Sequence, residues 1–215
     1  MKNIIITGSN GMIGKLVLEN CLNREDVKTV TSITRKSIGI KHPKLFEIIH
    51  DNYLDYSKIE NQLKNQDVCF YCIGVYTGQV PSAEFKKITV DFTRAFANAL
   101  RKNNNETTFC FLSGQGADSS EKSSILFARE KGIAENILLN LKFKHTHIFR
   151  PGYIYPETPR KEPNWTYSLM RTLYKPISMI YPNMGVTSTQ LANKMIAVGI
   201  NGGNKTIFEN KDIRQ

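Results

Sequence analysis

Three glycines set three residues apart mark the first place where this chain could do chemistry. They stand in Gly8-Ser9-Asn10-Gly11-Met12-Ile13-Gly14, a G-x-x-G-x-x-G spacing. An apolar, β-branched run from Lys2 to Thr7 precedes them, and a helix-like stretch from Met12 to Cys21 follows. A strand-to-helix turn of this kind needs glycine for two reasons. The chain must bend sharply, and its backbone must approach a pyrophosphate with no Cβ in the way. The next helix then points unpaired N–H groups and the positive end of its dipole at the phosphates. A glycine pattern alone is weak. A strand before it and an amphipathic helix after it are the context that gives it meaning. Residues Gly8 through Gly14 are therefore expected to hold a dinucleotide.

The end of the second strand selects the dinucleotide. An NAD site usually places Asp or Glu there for the ribose 2′-hydroxyl. This chain has Thr34-Arg35-Lys36-Ser37, and its acids Glu25 and Asp26 lie at the opposite end of that strand. A guanidinium and an ammonium favour a 2′-phosphate. Arg35 and Lys36 thus favour NADP(H), with NAD(H) as the alternative, although loop cations need no ligand to exist.

The elements that must position these groups alternate along the chain. Strand-like runs cover Lys2 to Thr7, Val27 to Thr34, Leu45 to His50, Asp67 to Ile73, Thr107 to Leu112 and His145 to Phe149. Helical stretches lie between them. The clearest is Pro81 to Lys102, where Phe85, Ile88, Phe92, Phe96 and Ala99 recur at steps of three and four. Ser123 to Leu141 reads as another. The alternation predicts an α/β fold, a doubly wound parallel sheet of Rossmann type with helices on both faces. After Arg150 six prolines punctuate the chain, with a short helical piece at Trp165 to Tyr174. A helix from Ser188 to Val198, capped by Ser188 or Thr189, and a short strand from Lys205 to Glu209 follow. We expect one domain over residues 1–215, with about 151–187 as a substrate-side lid.

The stretch Thr7 to Gly14 resembles the atypical and extended short-chain dehydrogenase/reductase superfamily. More narrowly, the chain is similar to its small NAD(P)H-binding group, which includes NmrA-like proteins and relatives of the Tat-interacting tumour suppressor. The likeness continues through Asp51, Cys72-Ile73-Gly74, Phe111-Leu112-Ser113-Gly114, Lys131 and Phe149-Arg150-Pro151-Gly152. It implies that Asp51 and Asn52 lie beside the adenine. It places Cys72, Ile73, Gly74 and Val75 along the adenosine ribose and phosphates, and Pro151, Gly152, Tyr153 and Ile154 past the nicotinamide. It makes Ser113 the serine that polarises a carbonyl, and Lys131 the lysine that holds the nicotinamide ribose. The implied activity is that of an oxidoreductase or epimerase-like enzyme on a small molecule.

One departure weakens that implication. The superfamily's acid is a tyrosine four residues before the lysine, and Phe127 stands there with no proton to give. Glu130 beside the lysine would be ionised near neutral pH. Tyr153 is a possible substitute acid, and Tyr76 and Tyr155 also follow strand ends, but tyrosine serves equally well as packing. General acid help commonly contributes about a hundredfold or more. The alternative reading is therefore a catalytically impaired NAD(P)H sensor or regulatory protein.

Other chemistries find little support. The formal charge is +10, but the cations are dispersed. We see no recognition helix or stacking motif, so no specific nucleic acid is expected. Cys69 and Cys72 form C-x-x-C without a second pair, and their odd spacing in a strand sends them to opposite faces. The four histidines lie scattered, so no metal site is expected. No apolar run reaches membrane-span length. A short apolar start without a cleavage signal points to the cytoplasm. The expected partner is an unknown small-molecule substrate, and a homodimer is compatible with the reading.

Overall fold

The computed structural model describes residues 1–76, 78–104, 106–158, 174 and 181–215. The first strand, β1 (Lys2–Thr7), sets the frame, because Ile4, Ile5 and Ile6 are all fully buried. A strand covered on both faces reads as an unbroken apolar run, which is the mark of a parallel sheet. Helix α1 (Met12–Leu22) leads into β2 (Val27–Thr34), and β3 (Leu45–Ile49) follows. After them come β4 (Val68–Tyr71), β5 (Thr108–Leu112) and β6 (His145–Arg150).

With a last short strand, β9 (Ile207–Glu209), these form a seven-stranded sheet in the order β3-β2-β1-β4-β5-β6-β9. Every pairing is parallel. Strand order reverses at β1, between β2 and β4. In open α/β sheets that reversal leaves a crevice at the carboxyl ends, where ligands bind. The doubly wound fold read from the sequence is the fold observed.

Two cores flank the sheet. Ile4, Ile6, Val17, Phe70, Cys110 and Phe149 lie in one. Ile5, Tyr71, Phe96, Phe109, Leu138 and Ile148 lie in the other. The period-two alternation of strand side chains produces this division. It also splits the C-x-x-C, with Cys69 in the second core and Cys72 in the first. All four cysteines are reduced and buried. Burial pushes the Cys21 and Cys72 thiols up to about 12, so they carry no thiolate near neutral pH.

The long amphipathic helix differs from its sequence pattern. It runs as α2 (Ser82–Lys86), a π-helical turn (Lys87–Asp91) and α3 (Phe92–Asn103). The wider turn rotates the inward face. Val90, Thr93, Phe96, Ala97 and Leu100 are buried, while Ile88, Phe92 and Ala99 are only partly so. The Thr93 hydroxyl donates to the Thr89 carbonyl at 2.8 Å within this region. Helix α4 (Leu126–Asn140) starts three residues later than the sequence pattern indicates. The preceding loop is held instead by Asp118, whose carboxylate accepts from the backbones of Ser120, Lys122 and Ser123.

Beyond Arg150 a second, two-stranded parallel sheet pairs β7 (Tyr153–Tyr155) with β8 (Gly185–Thr187). Most of the expected lid, including the helix expected from Trp165, lies outside the described residues. Helix α5 (Ser188–Asn201) is capped by Thr187, not by Ser188 or Thr189. Thr187 Oγ1 accepts from the Gln190 N–H at 3.1 Å, and Gln190 Oε1 accepts from the Thr187 N–H at 2.9 Å. The cap sits where β8 ends, a strand the sequence pattern did not reveal. A last helix, α6 (Asn210–Arg214), follows β9. Among the described residues no helix is long and apolar enough to cross a membrane.

Thr187→Ala removes half of this reciprocal cap. The expected cost is about 1 kcal/mol, read as a lower urea midpoint with an unchanged slope.

Candidate functional site

The glycine turn is built around two close backbone approaches. Gly8 has φ +76°, and a Cβ there would lie 2.6 Å from the carbonyl carbon and oxygen of Cys72 at the end of β4. A Cβ on Gly14 would lie 2.2 Å from the Gly8 carbonyl oxygen. The turn closes through the Gly11 N–H, which donates to the Gly8 carbonyl at 2.8 Å. No side chain caps α1, so its first N–H groups stay available to an anion. At Gly74, past β4, a Cβ would meet nothing within 4 Å, which leaves open space beside the turn. These residues fit a dinucleotide phosphate.

The turn is stitched to the end of β2. Ser9 and Ser32 share a buried hydroxyl contact at 2.5 Å. The Asn10 amide donates to Thr34 Oγ1 at 2.6 Å and to the Lys36 carbonyl at 2.9 Å. Arg35 and Lys36 are exposed next to that stitch. Burial raises the pKa of the Tyr53 hydroxyl, and the charge of Arg35 partly offsets the effect. Asp51 and Asn52 are exposed between β3 and Tyr53, with the Asn52 carbonyl 2.8 Å from His50 Nε2. Past β4, Cys72 is buried in the first core, while Ile73 and Val75 are half-buried.

The reaction side is arranged differently from its sequence reading. Ser113, at the end of β5, is buried, and its hydroxyl donates to Glu135 Oε1 on α4. That proton is directed at Glu135. Glu135 is 1% exposed and also accepts from Arg150 Nε, at 3.0 Å to Oε1 and 3.2 Å to Oε2. Arg150 reaches Ser119 Oγ at 3.0 Å and Glu209 at 3.4 Å as well. The sequence reading missed this cluster. Its one sequence signal is that Glu135 lies four residues after Lys131, on the same helix face.

Lys131 is buried. Its Nζ donates to the Leu112 carbonyl at 3.3 Å and lies 5.2 Å from the centre of the Phe111 ring. Burial lowers its pKa to about 8 against the opposing pull of Glu135. Phe127 turns its ring onto Gly114, where a Cβ would lie 2.4 Å from Cζ. The position at which the resemblance implies a tyrosine is thus filled by hydrocarbon. Glu130 is buried too, but it pairs with Arg129 at 3.2 Å.

Tyr153 and Tyr155 both pack on Tyr174, with ring centres 5.5 Å and 4.7 Å away. The Pro151 carbonyl accepts from the Gln115 N–H at 2.8 Å. The Gly152 N–H donates to Asn210 Oδ1, also at 2.8 Å. Asn210 is a second residue that sequence reasoning missed. It fixes the segment Pro151 to Ile154 from the far end of the chain. Among the described residues no His, Cys, Asp or Glu cluster could hold a metal.

A family model described as NAD(P)H-binding matches residues 8–172. The protein HTATIP2 of Rattus norvegicus is 27% identical over 165 residues, covering 75% of this chain and 66% of its own length. The mitochondrial protein FMP52 of Candida albicans is 29% identical over 215 residues, covering 92% of this chain and 89% of its own length. Among solved structures, the Bordetella bronchiseptica enzyme WbmH in complex with NAD+ has a TM-score of 0.71 at 16% identity. It covers 97% of this chain and 74% of WbmH.

The buried lysine gives a pH test. Its proton is bound less tightly in the folded chain than in the unfolded one, where the ordinary value is 10.5. Unfolding free energy should therefore rise with pH between about 8 and 10.5 relative to Lys131→Met, and the difference should be flat below pH 8. Denaturant titrations across that range check it, and parallel curves would contradict it.

Proposed function

We propose that this chain, which belongs to the NAD(P)H-binding family, binds NADP(H) as a ligand sensor or regulatory protein and transfers hydride poorly. The observation that carries this reading is Phe127. Its ring covers Gly114 where the family's proton donor would stand. Two further facts support it. The Ser113 hydroxyl donates to Glu135, and Tyr153 and Tyr155 pack on Tyr174. A bound nicotinamide would supply the hydride, but Phe127 has no proton to offer an oxyanion formed by that transfer, and the Ser113 proton is engaged by Glu135.

The preference for NADP(H) rests on Arg35 and Lys36 beside the glycine turn, with no carboxylate at the end of β2. Among the described residues neither cation joins an ion pair, so both can meet a 2′-phosphate. The chain's formal charge of +10 adds a general attraction for a phosphate-rich ligand. We keep residues 151–187 as the substrate-side segment, from the sequence alone.

A second reading keeps the enzyme: an NADP-dependent oxidoreductase or epimerase-like protein on a small molecule. The buried Lys131, with its pKa near 8, favours it. Tyr153 would then be the relocated acid.

Fluorescence titration should show NADPH binding with a Kd on the order of micromolar, tighter than NADH. No signal with either nucleotide would refute both readings. Arg35→Ala should weaken NADPH more than NADH. On a carbonyl panel the parent should turn over slowly or not at all, and Phe127→Tyr should raise activity. An active parent that Tyr153→Phe abolishes would establish the enzyme instead.

A further inference from the structure

Glu47 on β3 belongs to neither half of the site described so far, yet it grips the loop that carries Arg35 and Lys36. Its Oε2 accepts from Ser37 Oγ at 2.6 Å, and its Oε1 accepts from the Ile38 N–H at 2.6 Å. From the other side the Asn10 amide reaches the Lys36 carbonyl at 2.9 Å. Thr34 Oγ1 donates to the same carbonyl at 2.8 Å. Gly39, at φ +74°, then turns the chain, and its N–H donates to Ser37 Oγ at 3.2 Å. Ile38 and Ile40 pack back onto the core beside α1. The segment from Arg35 to Ile38 is therefore fixed at both ends, by the phosphate turn and by Glu47.

We propose that Glu47 is a positioning residue for dinucleotide choice, holding Arg35 and Lys36 in place for a 2′-phosphate. This rests on the NADP reading above. The physical ground is entropy. Two long, exposed cations on an untethered loop would pay to order both backbone and side chains on binding. A loop already pinned at Ser37 and Ile38 has met the backbone part of that cost. The benefit goes to the ligand with a 2′-phosphate, because only that group needs these cations. The carboxylate itself is an anion near an anion, so its service is hydrogen bonding, not charge.

Three variants separate these contributions, with NADPH and NADH titrated against the full chain. Glu47→Ala should raise the Kd for NADPH about tenfold through the two lost hydrogen bonds. The Kd for NADH should change less than about twofold, because NADH lacks the group these cations hold. Glu47→Gln keeps an acceptor for the Ile38 N–H and removes the charge, so NADPH binding should stay at the parent level or tighten. Ser37→Ala should give a smaller fall in the same direction, and it stands in if Glu47→Ala fails to fold by circular dichroism.

Arg35→Ala, run in parallel, tells the two possible failures apart. If it lowers the NADPH preference while Glu47→Ala and Ser37→Ala leave it at the parent value, the role of Glu47 is overturned and the NADP reading stands. Equal losses for both nucleotides in Glu47→Ala overturn it as well. If Arg35→Ala itself leaves the preference unchanged, the NADP reading falls and takes this inference with it.

Discussion

The buried carboxylate of Glu135 is the interaction on which the ends of β5 and β6 depend. A carboxylate withdrawn from water must be paired and hydrogen-bonded, or it destabilises the fold. Here Arg150 supplies the charge and Ser113 a further proton. Arg150 also reaches Ser119 and Glu209. One ionic cluster thereby ties α4 to the ends of β5 and β6, to the loop before α4 and to β9. The register of α4 against the sheet follows from that tie. Phe127 and Lys131 lie eight and four residues before Glu135, on the same helical face, so their positions are set with it.

The same cluster shapes what the site can do. The Ser113 hydroxyl is engaged by the buried carboxylate of Glu135. The residue after that serine is glycine, and a phenyl ring lies against that glycine. Lys131 donates to a backbone carbonyl beneath them. Lys131 is therefore surrounded by a satisfied ion pair and hydrocarbon.

The nucleotide side rests on a different constraint, which is closeness of backbone to backbone. Gly8 sits against the end of β4, and Gly14 sits against Gly8. Side-chain hydrogen bonds from Ser9 and Asn10 carry that rigid turn across to β2. The loop bearing Arg35 and Lys36 is thereby part of the same construction, although 21 residues separate Gly14 from Arg35.

The sequence by itself determined the sheet, the glycine turn and the segregation of Cys69 from Cys72. Each of these is a local property, readable from periodicity, spacing or one residue's chemistry. β1 and β2 appear at the limits their apolar runs indicate, because strands buried on both faces advertise themselves. Tertiary structure alone decided the rest. The π-helical turn moved the buried face of the long helix to Val90, Thr93 and Leu100, since one wider turn rotates everything after it. Thr187 became a cap only because β8 ends there. Ser113, conventional in sequence, donates its hydroxyl hydrogen bond to Glu135, and Arg150 and Asn210 gained roles through contacts spanning 15 and 58 residues. Pairings at such separations depend on which strand ends the fold brings together, and no local pattern encodes that.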